Sequence, residues 1–187
     1  MRPLVLASGS PRRRELLEQM GYSGFEVLPA KGEETAPEGL SPDKLVEQLA
    51  LQKAREVFVL RPDCTVIGAD TVVVLEGRVL GKPRDEADAM EMLAALSGRS
   101  HEVYTGMAVL SGNRVLTHAE CTRVDFRPIT EGEIAAYVAT GEPMDKAGSY
   151  GIQGKACVFI RGIVGDYYNV VGLPVCALGE LLAQVKD

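Results

Sequence analysis

The chain has 187 residues, 46% hydrophobic and 25% charged, the balance of an ordinary globular protein long enough to bury a full core. Its net charge of −6 and isoelectric point near 5.1 argue against a general nucleic-acid binder, whose footprint is a basic surface. No stretch approaches the roughly 18 apolar residues of a membrane span, and the N-terminus has no apolar signal core, so a soluble, cytoplasmic chain is expected.

Residues 4–7 read as a short buried strand that runs into Ser8-Gly9-Ser10-Pro11-Arg12-Arg13-Arg14. A periodic helix follows and stops at Gly21, with Ser10 as N-cap and Pro11 at the first helical position. Such a turn aims free backbone N–H groups, small hydroxyls and up to three guanidinium groups at one spot, an arrangement for holding phosphate. The plainer alternative is a capped helix with a solvated basic first turn, although arginines there oppose the helix dipole. The segment matches neither a Walker loop nor G-x-G-x-x-G.

Residues 25–28 resemble a second strand, leading into the acidic loop 31–35. Ser41-Pro42 opens a helix whose apolar face carries Leu45, Val46, Leu49, Ala50, Ala54 and Val57. Residues 65–69 are the nearly continuous apolar run of a strand buried on both sides. Residues 72–75 and 78–80 form a hairpin closed by Gly77, and Asp85 caps a third helix ending at Ser97-Gly98. Two long strands are expected at 102–110 and 115–126. Thr130 and Glu133 make a capping box for a short helix through Tyr137. A Gly-rich loop covers 144–155, strands are expected at 157–160 and 167–171, and a final helix at about 174–185. With no internal repeat or linker, the pattern predicts a single domain, 1–187, built on a mixed sheet with packed helices, α/β or α+β.

Cys64, Cys121, Cys157 and Cys176 show no C-x-x-C spacing, and three lie in apolar patterns. Buried thiols are expected there, rather than zinc ligands or disulfides. Neither His101 nor His118 neighbours a plausible nucleophile, so carboxylates and lysines must carry any catalysis.

Asp70 stands out because it directly follows the 65–69 strand, where open α/β sheets collect their ligands. A turn residue bonded to local N–H groups is the alternative. Lys82, fixed between Gly81 and Pro83, is expected to point inward. Lys53 shares a helix face with Leu49 and Ala50, and its half-buried stem suits either simple snorkelling or a site. Glu33 and Glu34 read as a solvated acidic loop or, beside Asp70, as a source of a second carboxylate for a divalent ion. In the loop holding Gly148, Gly151 and Gly154, Gln153 offers a donor and an acceptor for a base edge. Together these groups suit hydrolysis of a nucleoside triphosphate with Mg²⁺ or Mn²⁺ and do not suit kinase-type transfer.

The blocks Leu6-Ala7-Ser8-Gly9-Ser10-Pro11-Arg12-Arg13, Gly68-Ala69-Asp70-Thr71, Gly81-Lys82-Pro83, Asp145-Lys146-Ala147-Gly148, Gly151-Ile152-Gln153-Gly154 and Asn169-Val170-Val171-Gly172-Leu173-Pro174 resemble, in order, those of the Maf family of nucleotide pyrophosphatases. The resemblance implies an α/β fold similar to the inosine-triphosphate pyrophosphatases, with an elongated mixed sheet and two lobes around a cleft. It implies cleavage between the α and β phosphates to give monophosphate and pyrophosphate, with a divalent cation. Asp70 would be the proton acceptor that activates water and a metal ligand, and Lys82 a catalytic partner. Ser8, Arg13, Glu34, Lys53 and Lys82 would serve the phosphate and metal end, with Glu33 left as an alternative to Glu34. Arg12, Thr71 and Gln153 resemble the branch acting on dTTP and UTP, and a Gln153 amide suits a pyrimidine's carbonyl and imide N–H. The alternatives are a 7-methyl-GTP pyrophosphatase and a non-catalytic nucleotide-binding regulator of cell division. Neither a membrane nor a stable nucleic-acid partner is expected, and family analogy together with the prevalence of two-fold pairs implies a homodimer.

Overall fold

The computed structural model describes residues 2–185. Strand β1 (Leu4–Leu6) pairs in parallel with both β2 (Glu26–Val27) and β3 (Thr65–Leu75). Parallel neighbours need crossovers, which here contain α1 (Pro11–Gln19) and α2 (Pro42–Leu60). The turn after β3 leads into the antiparallel β4 (Arg78–Leu80), and α3 (Glu86–Leu96) follows. The long strands β5 (Ser100–Ser111) and β6 (Arg114–Phe126) precede α4 (Glu131–Val138). After three short 3₁₀ turns come β7 (Ile160–Val164), α5 (Tyr167–Val171) and α6 (Val175–Gln184). The seven strands form one mixed sheet in the order β2-β1-β3-β5-β6-β7, with β4 paired to β3 off that path. The class is α/β, and no described helix is long and apolar enough to cross a membrane.

The described chain forms two compact units interleaved in sequence. The first takes residues up to Thr71, then 105–120 and 172 onward; the second takes 72–104 and 121–171. The core of the first includes Val5, Ala50, Ala54, Val57, Val66 and Ala108. Burying the larger apolar side chains of α2, Val46, Leu49 and Val57, contributes roughly 1.5–3 kcal/mol each. Helix α2 lies so close to β3 that a Cβ on Gly68 would stand 2.2 Å from the Ala50 carbonyl oxygen. The second unit packs Leu93, Leu96, Val103, Phe126, Tyr137, Tyr150 and Phe159 together.

The local signals act where they were read. Asp85 accepts the Asp88 N–H at 2.8 Å, and the Thr130–Glu133 capping box is formed. The β3–β4 turn uses Glu76 at φ 50° and Gly77 at φ 79°, the two positive φ values of a type I′ hairpin.

Four expectations are corrected. Asp70 does not follow a strand end, because β3 continues through it to Leu75; it is β1 that ends beside it, with Ala7 N–H bonding Ile67 O at 2.7 Å. Residues 157–160 are mostly the last 3₁₀ turn, Lys155–Phe159, whose first N–H is held by the Glu142 carboxylate at 3.1 Å. Residues 167–171 are helical, not extended. Asp166 Oδ1 accepts the Tyr168 N–H at 2.8 Å, and the Asn169 amide donates to Val103 O and Thr122 Oγ1 at 2.9 Å each, bonds that outweigh the aromatic and β-branched bias. None of the cysteines forms a disulfide, as expected, but Cys121, Cys157 and Cys176 are exposed and only Cys64 is partly covered.

Candidate active site

In the first unit, the loop after β1 delivers Ser8, whose buried hydroxyl accepts the Ser10 N–H at 3.3 Å and an Arg13 N–H at 3.1 Å. Ser10 holds the N-cap position of α1 without a side-chain cap, and Pro11 opens the helix. The three arginines part company. Arg14 is exposed and pairs with Glu18 at 3.0 Å, so it does not join the cluster, while Arg12 is partly buried. Arg13 turns inward, with Nε on Gly172 O at 2.8 Å, Nη1 on Ala69 O at 2.9 Å and Nη2 on Thr71 Oγ1 at 3.0 Å. Burial pulls its guanidinium below the ordinary pKa; Asp70 opposes that shift, Arg12 adds to it, and Glu34 opposes it again.

Asp70 is buried on β3, and its Oδ1 lies 2.6 Å from Lys53 Nζ. The same ammonium lies 2.8 Å from Glu34 Oε1. The side chains of Lys53 and Asp70 are only 17% and 12% exposed, well covered for an ion pair, so Lys53 does more than snorkel.

Two α2 side chains explain why Glu34, rather than Glu33, meets this lysine. Gln52 donates to Glu33 O at 2.6 Å and accepts the Thr35 N–H at 3.2 Å, gripping the loop on both sides of Glu34. One turn on, the Glu56 carboxylate accepts the N–H groups of Lys31 at 2.7 Å and Gly32 at 3.0 Å. The sequence reading missed both residues. The available signal was spacing on one helix, since Glu56 is the i+3 neighbour of Lys53 and the i+4 neighbour of Gln52.

Thr71 completes the first unit's set, bonding Thr105 Oγ1 at 2.9 Å as well as Arg13. Thr105 is fully buried, and the sequence reading missed it too. Lys82 and Gln153 belong to the second unit. Lys82 is exposed, contrary to the inward orientation expected from its Gly and Pro neighbours; Pro83 is buried in its place, and Gly81 O accepts the Gly148 N–H at 3.0 Å. Gln153 is exposed in a turn closed by Gly154 N–H on Gly151 O at 3.1 Å.

Residues 3–185 match the family described as Maf-like protein. The chain belongs to the Maf family. Among curated proteins, the dTTP/UTP pyrophosphatase of Bacillus thuringiensis subsp. konkukian (strain 97-27) is 54% identical over 184 residues, 98% of this chain and 96% of that one. Among solved structures, the HAM1 protein of Coxiella burnetii aligns with 98% of this chain and 100% of its own at TM-score 0.56 and 18% identity. The Staphylococcus aureus Ham1 protein aligns with 99% and 100%, at TM-score 0.56 and 14% identity. At such identities the likeness is one of fold, and the Maf chain shares its mixed sheet and flanking helices with the Ham1 proteins.

Proposed function

We propose that this Maf protein hydrolyses dTTP and UTP, and modified pyrimidine triphosphates, to the nucleoside monophosphate and pyrophosphate. The observation that carries the reading is the 54% identity, along nearly the whole chain, to a dTTP/UTP pyrophosphatase. The geometry supports the chemistry. Asp70 is fixed by Lys53 within the unit that carries Ser8 and the first turn of α1, and there it accepts the proton of the attacking water. Lys53 offsets the charge of both carboxylates. Ser8, Arg12 and the uncapped N-terminus of α1 receive phosphate oxygens. The family resemblance, rather than the geometry, assigns Lys82 to the leaving pyrophosphate and Gln153 to the pyrimidine edge.

Asp70 and Glu34 meet at a single ammonium through Oδ1 and Oε1, so the second oxygen of each carboxylate would be the one to hold a hard divalent cation. Mg²⁺ or Mn²⁺ would be held by these two carboxylates and completed by substrate phosphates. Bound there, the ion would lower the pKa of a coordinated water and screen the phosphates. Family analogy extends the reading to a cytoplasmic homodimer.

The test is the product released from dTTP and UTP in the presence of Mg²⁺ or Mn²⁺. Pyrophosphate and monophosphate in equal amounts are expected. Orthophosphate release, or binding without turnover, overturns the reading.

A further inference from the structure

Arg13 lies in the first turn of α1, next to the loop assigned to substrate phosphate, yet its guanidinium faces the protein. Of the five N–H groups an arginine carries, four are engaged, on Gly172 O, Ser8 Oγ, Ala69 O and Thr71 Oγ1 at 2.8 to 3.1 Å. Ala69 and Thr71 flank Asp70, so the bonds to them grip β3 on both sides of the carboxylate. The Thr71 hydroxyl is backed by Thr105 Oγ1 at 2.9 Å, on a residue with no exposed surface. The bonds to Ser8 and Gly172 tie this stretch of β3 to the loop after β1 and to the start of the C-terminal segment. Gln52 grips Glu34 in the same manner, through both of its chain neighbours.

We propose that Arg13 is a positioning residue and not a phosphate ligand: it holds the backbone that carries Asp70, with Thr71 and Thr105 completing the clamp. The role rests on the reading of Asp70 as the proton acceptor. Lysine cannot replace Arg13, because a single ammonium carries three donors on one atom and cannot span four acceptors arranged around a planar fork. Serine at 105 can keep the hydroxyl contact to Thr71, and valine cannot.

The experiment compares Arg13→Lys with wild type in dTTP kinetics and in pyrophosphate binding by calorimetry with Mg²⁺, a readout that needs no turnover. A positioning role lowers kcat at least about tenfold while KM and pyrophosphate Kd stay within about twofold. A tenfold loss of pyrophosphate affinity makes Arg13 a phosphate ligand and overturns the proposal whatever kcat does. An unchanged kcat overturns it as well. Should Arg13→Lys fail to fold, Thr105→Val decides by the same split: lower kcat with KM unchanged, restored by Thr105→Ser, supports the clamp, and any other pattern overturns it. Wild-type protein that releases no pyrophosphate from dTTP sinks the substrate reading instead, and the pyrophosphate affinity of Arg13→Lys then still decides whether Arg13 touches phosphate.

Discussion

Lys53 Nζ stands 2.6 Å from Asp70 Oδ1, joining the long helix α2 to the central strand β3. An ammonium so placed fixes the direction in which the carboxylate presents its free oxygen. Asp70→Asn is expected to abolish pyrophosphate release, with a loss of at least about a thousandfold, because an amide cannot accept the water's proton. Lys53→Met is expected to lower kcat/KM by about a hundredfold. It leaves two carboxylates without their shared cation, and urea denaturation should show a loss of roughly 1–3 kcal/mol. Activity surviving in Asp70→Asn removes the proposed proton acceptor.

The pair depends on how closely helix and strand approach. A Cβ on Gly68 meets Ala50 O at 2.2 Å and the Ala54 backbone nitrogen at 2.9 Å, and neither backbone atom can swing aside. Gly68→Ala is therefore expected to cost about 1–3 kcal/mol through overpacking. Because α2 carries Lys53 and β3 carries Asp70, forcing the two apart should also cut kcat/KM at temperatures where the variant is folded. A folded variant with full activity shows that the Lys53–Asp70 spacing does not govern the rate.

Features set by neighbouring residues were legible in the sequence: the Pro11 start of α1, the Asp85 cap, the Thr130–Glu133 box and the Gly77 turn each depend on a few consecutive side chains. Asp70 was expected just past a strand, with a paired cation as one outcome; the paired cation is there in Lys53, but the strand continues through the residue. Tertiary contacts hid the rest. Residues 167–171 have strand-forming composition, and their helix depends on Asn169 reaching Val103 and Thr122. Consecutive helical residues point roughly 100° apart, so Arg12, Arg13 and Arg14 could not converge on one spot. Only the packed structure shows that Arg13 is the one turned inward. Glu34 was indistinguishable from Glu33 until the Gln52 contacts fixed the loop.

His101 gives the second unit a pH-dependent stability. Its Nε2 bonds the Tyr150 hydroxyl at 2.7 Å, and the ring packs edge-on against Phe126 and Tyr150. Burial lowers its pKa from 6.5 to about 4, with Asp125 opposing. The unfolded chain therefore binds the proton more readily across that interval. The contribution is fully present above pH 6.5 and is lost as pH falls toward 4, by roughly 3 kcal/mol in all. Urea denaturation from pH 7 to 4 should show this slope in the wild type and a shallower one in His101→Phe. A His101 ring titrating near 6.5 by NMR contradicts the prediction.

Base selection should be separable from hydrolysis. Gln153 lies exposed in the Gly151–Gly154 turn, and Lys155, the first residue after that turn, is anchored by Glu142, whose carboxylate accepts the Lys155 N–H at 3.1 Å and the Tyr137 hydroxyl proton at 3.0 Å. Gln153→Ala removes the amide and is expected to lower kcat/KM for dTTP about tenfold, the worth of one or two hydrogen bonds. Purine triphosphates, which lack the matching edge, should lose less. Glu142→Ala leaves the amide but frees the turn, so it should narrow the preference for dTTP over purine triphosphates by a smaller factor. Competition between dTTP and a purine triphosphate in one reaction reads this ratio directly. Equal losses on both substrates in Gln153→Ala would mean that the residue supports the loop and does not read the base.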